Sequence, residues 1–207
     1  MRSEKEKMLS EKLYDASDLE LRNMRQRARQ YTRLFNQTTE EQQSYRTQLL
    51  KELFHKTGTR ILIEPPFRCD YGCHISVGEN FYANFDCVIL DVAKVEIGDH
   101  VMFGPRVGLY TAGHPLDAEV RLRGLEFGTS ITIGHNVWVG ANVTINPGVT
   151  IGNNAVIGSG SVVTKSIPDQ VIAAGNPCRV IRPLTEKDRD DWLKLENDYQ
   201  QEVELIE

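Results

Sequence analysis

The sequence predicts a mainly β protein, a parallel β-helix of six-residue repeats with a helical unit before it and one helix after it. Three observations predict this fold. An aliphatic residue followed by Gly or Asn returns every six residues at Ile133-Gly134, Val139-Gly140, Ile145-Asn146, Ile151-Gly152 and Ile157-Gly158, and Val163 keeps the aliphatic half. Helical spacing behind capping signals stands at both ends of the chain. Between Leu109 and Ile131 the repeat stops, which marks a long loop inside an otherwise regular array.

Residues 1–57 read as a small helical unit. Ser17-x-x-Glu20 precedes an apolar stripe of Leu21, Met24, Ala28, Tyr31 and Leu34, and Thr38-x-x-Glu41 precedes Tyr45, Leu49 and Leu53.

Residues 58–183 carry the repeat. A six-residue period fits neither the 3.6 of a helix nor the two of a long strand, but it fits short flat faces joined by turns. Three such faces make one coil of a triangular prism, and stacked coils pair as parallel strands about 4.8 Å apart. The aliphatic residue fills the interior, together with a second series four residues later (Val137, Val143, Val149, Ala155, Ser161). The Gly or Asn after each aliphatic is expected to take a turn with positive φ. Upstream, the same spacing appears at Val77-Gly78 and, after a two-residue slip near Asp91, at Ile97-Gly98 and Phe103-Gly104. Cys69 and Cys87, separated by three six-residue faces, are expected to stack on successive coils as buried, inert thiols. Cys69, Cys73 and His74 lie close together, yet C-x3-C-H matches no usual zinc spacing, so no metal is expected.

The loop, residues 110–130, opens with Tyr110-Thr-Ala-Gly-His114-Pro115. A long loop in a solenoid costs ordering entropy and adds little core, so it is read as functional. Histidine titrates near neutral pH and can take a hydroxyl proton, which makes His114 the candidate base. The other histidines end a helix (His55), neighbour a turn glycine (His74) or occupy repeat turns (His100, His135).

Residues 184–207 form an acidic helix opened by Thr185-x-x-Asp188, with Trp192, Leu195 and Tyr199 on one side. Leu184–Glu207 holds a charge of −6 within a net −5, so the remainder is nearly neutral and does not suggest nucleic-acid binding. No apolar run approaches a membrane span, and the charged start MRSEKEKMLSEK leads us to expect a cytoplasmic protein with no membrane partner.

Several segments resemble the maltose and galactoside O-acetyltransferases of the hexapeptide-repeat superfamily, the maltose type most closely. They are KLYDA, IEPPFRCDYG (63–72), FYANFDCVILDV (81–92), TAGHP, the block from Ile133 to Pro168, and AGNPCRVIR (174–182). The resemblance implies a left-handed coil and a homotrimer with active sites between neighbouring prisms. It also implies direct transfer of an acetyl group from acetyl-CoA to a hydroxyl, the 6-hydroxyl, of maltose, glucose or a related sugar. In that reading His114 is the general base, and a backbone N–H near Ala141 holds the oxyanion. Asp15, Asp70, Asn84 and Asp91 are the implied acceptor residues, and the helical unit lies on the acceptor side. Asn84, Trp138, Ala141, Ser159, Thr164, Lys165, Arg179 and Arg182 are the implied acetyl-CoA residues. A galactoside or lipo-oligosaccharide acceptor is the alternative. A carbonic-anhydrase-like hydratase would need stacked histidines, which the spacing of His74, His100, His114 and His135 does not provide. A noncatalytic scaffold would leave the TAGHP loop unexplained.

Overall fold

Before the first β-helix strand at Ile61 come three helices, α1 (Glu4–Leu9), α2 (Leu19–Asn36) and α3 (Gln43–Leu53). The computed structural model describes residues 2–204; Met1 and residues 205–207, part of the expected first and last segments, lie outside the described residues. The helix starts differ from the sequence expectation. Asp18, not Ser17, caps α2, because its carboxylate reaches the N–H groups of Glu20 and Leu21. Helix α3 begins after Gln42 without a side-chain cap, and Thr38 instead accepts a bond from Arg46 Nε. A full capping box does exist, at Ser3 and Glu6 of α1, where the sequence reading placed no helix. On α3 the buried face is Arg46, Leu49, Leu50 and Leu53, while Tyr45 is exposed.

The β-helix makes about six turns. Face I consists of β2 (Ile61–Ile63), β5 (Phe81–Ala83), β8 (Met102–Phe103), β13 (Trp138–Val139), β16 (Val156–Ile157), β18 (Val171–Ala174) and the antiparallel edge strand β19 (Arg179–Pro183). Face II consists of β3 (Phe67–Cys69), β6 (Cys87–Leu90), β9 (Gly108–Tyr110), β14 (Thr144–Ile145) and β17 (Val162–Val163). Face III consists of β4 (Ile75–Val77), β7 (Val95–Ile97), β12 (Ile131–Ile133) and β15 (Thr150–Ile151). Both inward series of the repeat are buried, as the six-residue spacing requires. Each buried Val or Ile contributes roughly 1.5–3 kcal/mol of transfer free energy, and no coil could gain this without its neighbours. Bulk is traded between coils: Phe81 and Ala83 lie under Val101 and Phe103, and the two rings meet edge to face at 5.2 Å.

The first coils are longer than the repeat suggested. Val77 pairs with Ile97 and Cys69 with Ile89, because each of these coils carries two extra residues at the corner between faces II and III. The slip near Asp91 therefore has a twin at Asp70–His74. This corrects the cysteine stacking: Cys69 lies under Ile89 and Cys87 over Phe67. All four cysteines are free.

The glycine expectation is also corrected. Positive φ falls two residues after the expected glycines, at Asn136, Asn142, Gly148, Asn154 and Gly160. The repeat glycines serve close approach instead: a Cβ on Gly98 would lie 2.7 Å from the Gly134 carbonyl oxygen of the next coil.

At the third coil the same corner opens into the loop, which holds β10 (Ala112–Gly113), α4 (Ala118–Leu122) and β11 (Leu125–Gly128). Its root is closed by Thr129 N–H donating to Thr111 O. Strand β11 lies between β10 and β1 (Tyr14–Asp15), so the N-terminal unit contributes a strand to the loop. After β19 comes α5 (Glu186–Glu204), whose Trp192, Leu195 and Tyr199 are exposed. No helix among the described residues is long and apolar enough to cross a membrane.

Candidate active site

His114 leaves the end of β10 and is exposed. In the antiparallel register Ala112 faces Gly128 and Gly113 faces Phe127, so His114 leaves β10 just past the last pair, on the side where β11 carries Glu126. On the other side of β11, Tyr14 faces Glu126 and its hydroxyl donates to Glu126 Oε2 at 2.9 Å. Burial pushes the Tyr14 phenol up, keeping it a donor. Asp15, next along β1, is exposed, and its Oδ1 accepts the Ser17 N–H at 2.8 Å; the Ser17 hydroxyl first and this N–H second hold its carboxyl below the usual range.

Below the loop lie the two wide turns of the earlier coils. Asp91 is fully buried. Its Oδ1 accepts the N–H groups of Asp70 (3.1 Å) and Tyr71 (2.8 Å), and its Oδ2 accepts that of His74 (3.2 Å). The expectation that Asp91 faces an acceptor is therefore corrected: the extra corner residues turn it inward, where it ties one coil to the previous one. Burial pushes its carboxyl up to about 7, against the pull of those N–H donors. Thr111 repeats the device one coil on, donating to Leu90 O and accepting the Ala93 N–H. Asp70 is half-buried, and burial raises its carboxyl while the nearby Arg25 and Arg29 charges lower it. Arg25 itself is fixed by bonds to the Tyr71 hydroxyl and Ala16 O.

The other candidates lie elsewhere on the prism. Asn84, Ala141 and Ser159 stack at the corner between faces I and II, Trp138 is on the outer side of face I, and Arg179 and Arg182 are on its edge strand. Thr164 and Lys165 follow β17 at the corner between faces II and III, the corner of Asp70 and the loop. Face II separates the two sets by about 15 Å at the roughly 3.3 Å rise of a parallel strand. One chain thus brings Asp15, Asp70 and His114 toward one corner but does not bring them to Asn84, Trp138, Ala141 or Ser159.

Two details bear on the donor side. The Ala141 N–H already donates to Ser159 Oγ at 3.1 Å, and those of Gly140 and Asn142 bond Ile157 O and Pro105 O. An oxyanion there must displace the exposed Ser159 hydroxyl. Arg182 holds Asp188 through two bonds of 2.6 and 2.7 Å, so it is a neutralised cation, whereas Lys165 and Arg179 carry no ion pair among the described residues.

Sequence reasoning missed Glu126 and Arg25. Neither lies in a repeat; Glu126 is brought to this corner by strand pairing with Tyr14 and held by its hydroxyl, and Arg25 reaches Tyr71 from a distant part of the chain. Among the described residues no group of three or more His, Cys, Asp or Glu side chains could hold a metal ion.

Comparison with known proteins follows the same outline. Residues 7–58 match the maltose acetyltransferase hexapeptide capping motif, and residues 130–165 match the bacterial transferase hexapeptide of six repeats. The crystal structure of a maltose O-acetyltransferase from Clostridium difficile 630 is 53% identical, with a TM-score of 0.88 over 89% of this chain and 98% of that one. A galactoside acetyltransferase in complex with coenzyme A is 43% identical, with a TM-score of 0.88 over 91% and 94%. The galactoside O-acetyltransferase of Escherichia coli is 44% identical over 77% of this chain and 79% of its own length. With matches of this extent and the β-helix that these relatives share, this chain belongs to the maltose/galactoside O-acetyltransferase family of hexapeptide-repeat proteins.

Proposed function

We propose that the chain transfers an acetyl group from acetyl-CoA to the 6-hydroxyl of maltose, glucose or a related sugar, with His114 as general base. The observation that carries this reading is the exposed His114 at the end of the β10–β11 pair, whose Glu126 is held by Tyr14 and reaches the Asp70 carboxyl with its charge. In the reaction His114 takes the hydroxyl proton as the sugar oxygen bonds to the thioester carbonyl carbon. The tetrahedral intermediate then expels the thiolate of CoA, which receives the proton back from the imidazolium. Glu126 positions the imidazole, while Tyr14 holds Glu126. Asp15, Asp70 and Asn84 bind the acceptor's hydroxyls; Asp91 shapes the turn that presents Asp70.

The donor binds along the other set, with Trp138 beside the pantetheine arm and Ala141 and Ser159 near it, while Thr164, across face II, approaches from the neighbouring copy. Lys165 and Arg179 face the phosphates, with Arg182 joining them on release from Asp188. Because face II divides the two sets, a complete site requires a second copy of the chain, and a homotrimer would supply three. The outward row Leu62, Met102 and Trp138 on face I, each at least 39% exposed, offers an apolar surface for such contact.

The test is release of free thiol from acetyl-CoA across a panel of glucose, maltose, galactosides and chitin oligosaccharides, with the acetylated position read by NMR. Acetylation at the 6-position of glucose or maltose supports the reading, and thiol release with none of the panel contradicts it. Preference for a galactoside would move the acceptor to the alternative.

A further inference from the structure

We propose that the cavity beneath α1 and α2, against face III, binds a small monocarboxylic hydroxy acid with an apolar tail. The cavity measures about 350 Å³, and its walls include Leu9 of α1, Met24 of α2, Cys73, His74, Ser76 and Lys94. None of the acetyl-transfer candidates lines it.

Its chemistry points to that class of ligand. The His74 side chain is only 7% exposed. Its Nδ1 lies 2.7 Å from the carbonyl oxygen of Asp91, which can only accept, so Nδ1 carries the proton and Nε2 presents a lone pair. Burial keeps the ring neutral. Nothing among the described residues donates to Nε2, and no unpartnered side-chain nitrogen or oxygen is sealed from the surface, so the lone pair opens on the cavity. It calls for a donor such as an alcohol O–H.

Lys94 supplies the second feature. It is exposed and has no ion pair among the described residues, whereas the neighbouring Lys5 is held by Glu20 at 2.9 Å. A free ammonium at the mouth of a cavity suits a carboxylate. Glu96, also on the wall, opposes a second one. Leu9 and Met24 form the apolar side, and the volume suits a ligand of roughly six to ten non-hydrogen atoms.

The probe is 2-hydroxy-4-methylpentanoate, compared with 4-methylpentanoate, which lacks the hydroxyl, and 2-hydroxy-4-methylpentanamide, which lacks the charge. The readout is alkylation of Cys73 by iodoacetamide, followed by mass spectrometry on the native protein; Cys69, Cys87 and Cys178 are buried and act as internal references. At ten times its dissociation constant the hydroxy acid should slow alkylation about tenfold. Both comparators should protect far less, and Lys94→Gln should abolish protection without changing the melting temperature. The proposal is overturned if millimolar hydroxy acid leaves the rate unchanged, if either comparator protects equally, or if protection survives in Lys94→Gln. The measurement uses neither acetyl-CoA nor sugar, so its outcome is independent of the acetyl-transfer reading.

Discussion

Asp91→Asn should make the stability of this protein less sensitive to pH, because the wild-type carboxylate is wholly buried. Its folded-state carboxyl is raised from 3.8 to about 7. For an acid whose folded value lies above its unfolded value, the native state holds the proton longer, so stability is full below the unfolded value and is lost as pH rises through the folded one. Between pH 5 and pH 8 this single group should remove about 2–3 kcal/mol from the unfolding free energy. His74, which donates to the Asp91 carbonyl, is shifted downward by burial; its contribution is lost as pH falls below the ordinary histidine value, which opposes the Asp91 slope. Asp70 is raised as Asp91 is, and adds a smaller slope of the same sign. Both remain in the variant. Asparagine keeps one acceptor for the Asp70 and Tyr71 N–H groups but turns an amide toward that of His74, a cost of about 1–3 kcal/mol at any pH. Urea unfolding of wild type and variant at pH 5, 6, 7 and 8 measures the difference. The variant should be clearly the weaker at pH 5 and should approach or pass wild type at pH 8. A gap that stays constant across the series would refute the reasoning.

Gly98→Ala should cost about 1–3 kcal/mol in urea unfolding, because the new Cβ meets the backbone of the next coil. Gly160→Asn should cost less than about 0.5 kcal/mol, since Asn142 and Asn154 hold the same conformation at φ +56 and +55. Asp70→Ala should raise the sugar KM about tenfold to a hundredfold while leaving acetyl-CoA affinity unchanged by calorimetry. Sedimentation should report three chains, and an active monomer would remove the shared site.

The β-helix was legible because its interior is built from one beat that the sequence states openly, from Ile133 to Val163. What escaped was whatever depends on a neighbouring coil. Cys69 and Cys87 look stacked at three six-residue faces apart, but two extra residues in each early coil move the partner of Cys69 on to Ile89. The repeat glycines look like turn formers, yet their need for a bare Cα comes from the next coil's backbone. Asp91 looks like a surface carboxylate until the corner turns it inward onto three N–H groups. The break in the repeat singles out His114 as a candidate, whereas the Tyr14–Glu126 and Arg25–Tyr71 bonds are products of tertiary pairing with no local signal. The cap of α2 failed for a smaller reason: Ser and Asp compete as caps within a few residues, and Asp18 won over Ser17, while α3 begins after Gln42 with no side-chain cap and Thr38 binds Arg46 instead.

The most direct test of the central claim is the turnover of His114→Ala. The side chain is exposed at the end of a two-residue strand, so its removal should leave unfolding and acetyl-CoA affinity as in wild type. Loss of a general base should lower kcat by about 10²–10⁴-fold. A folded His114→Ala protein that binds acetyl-CoA as wild type does and turns over within a few-fold of it would contradict the account.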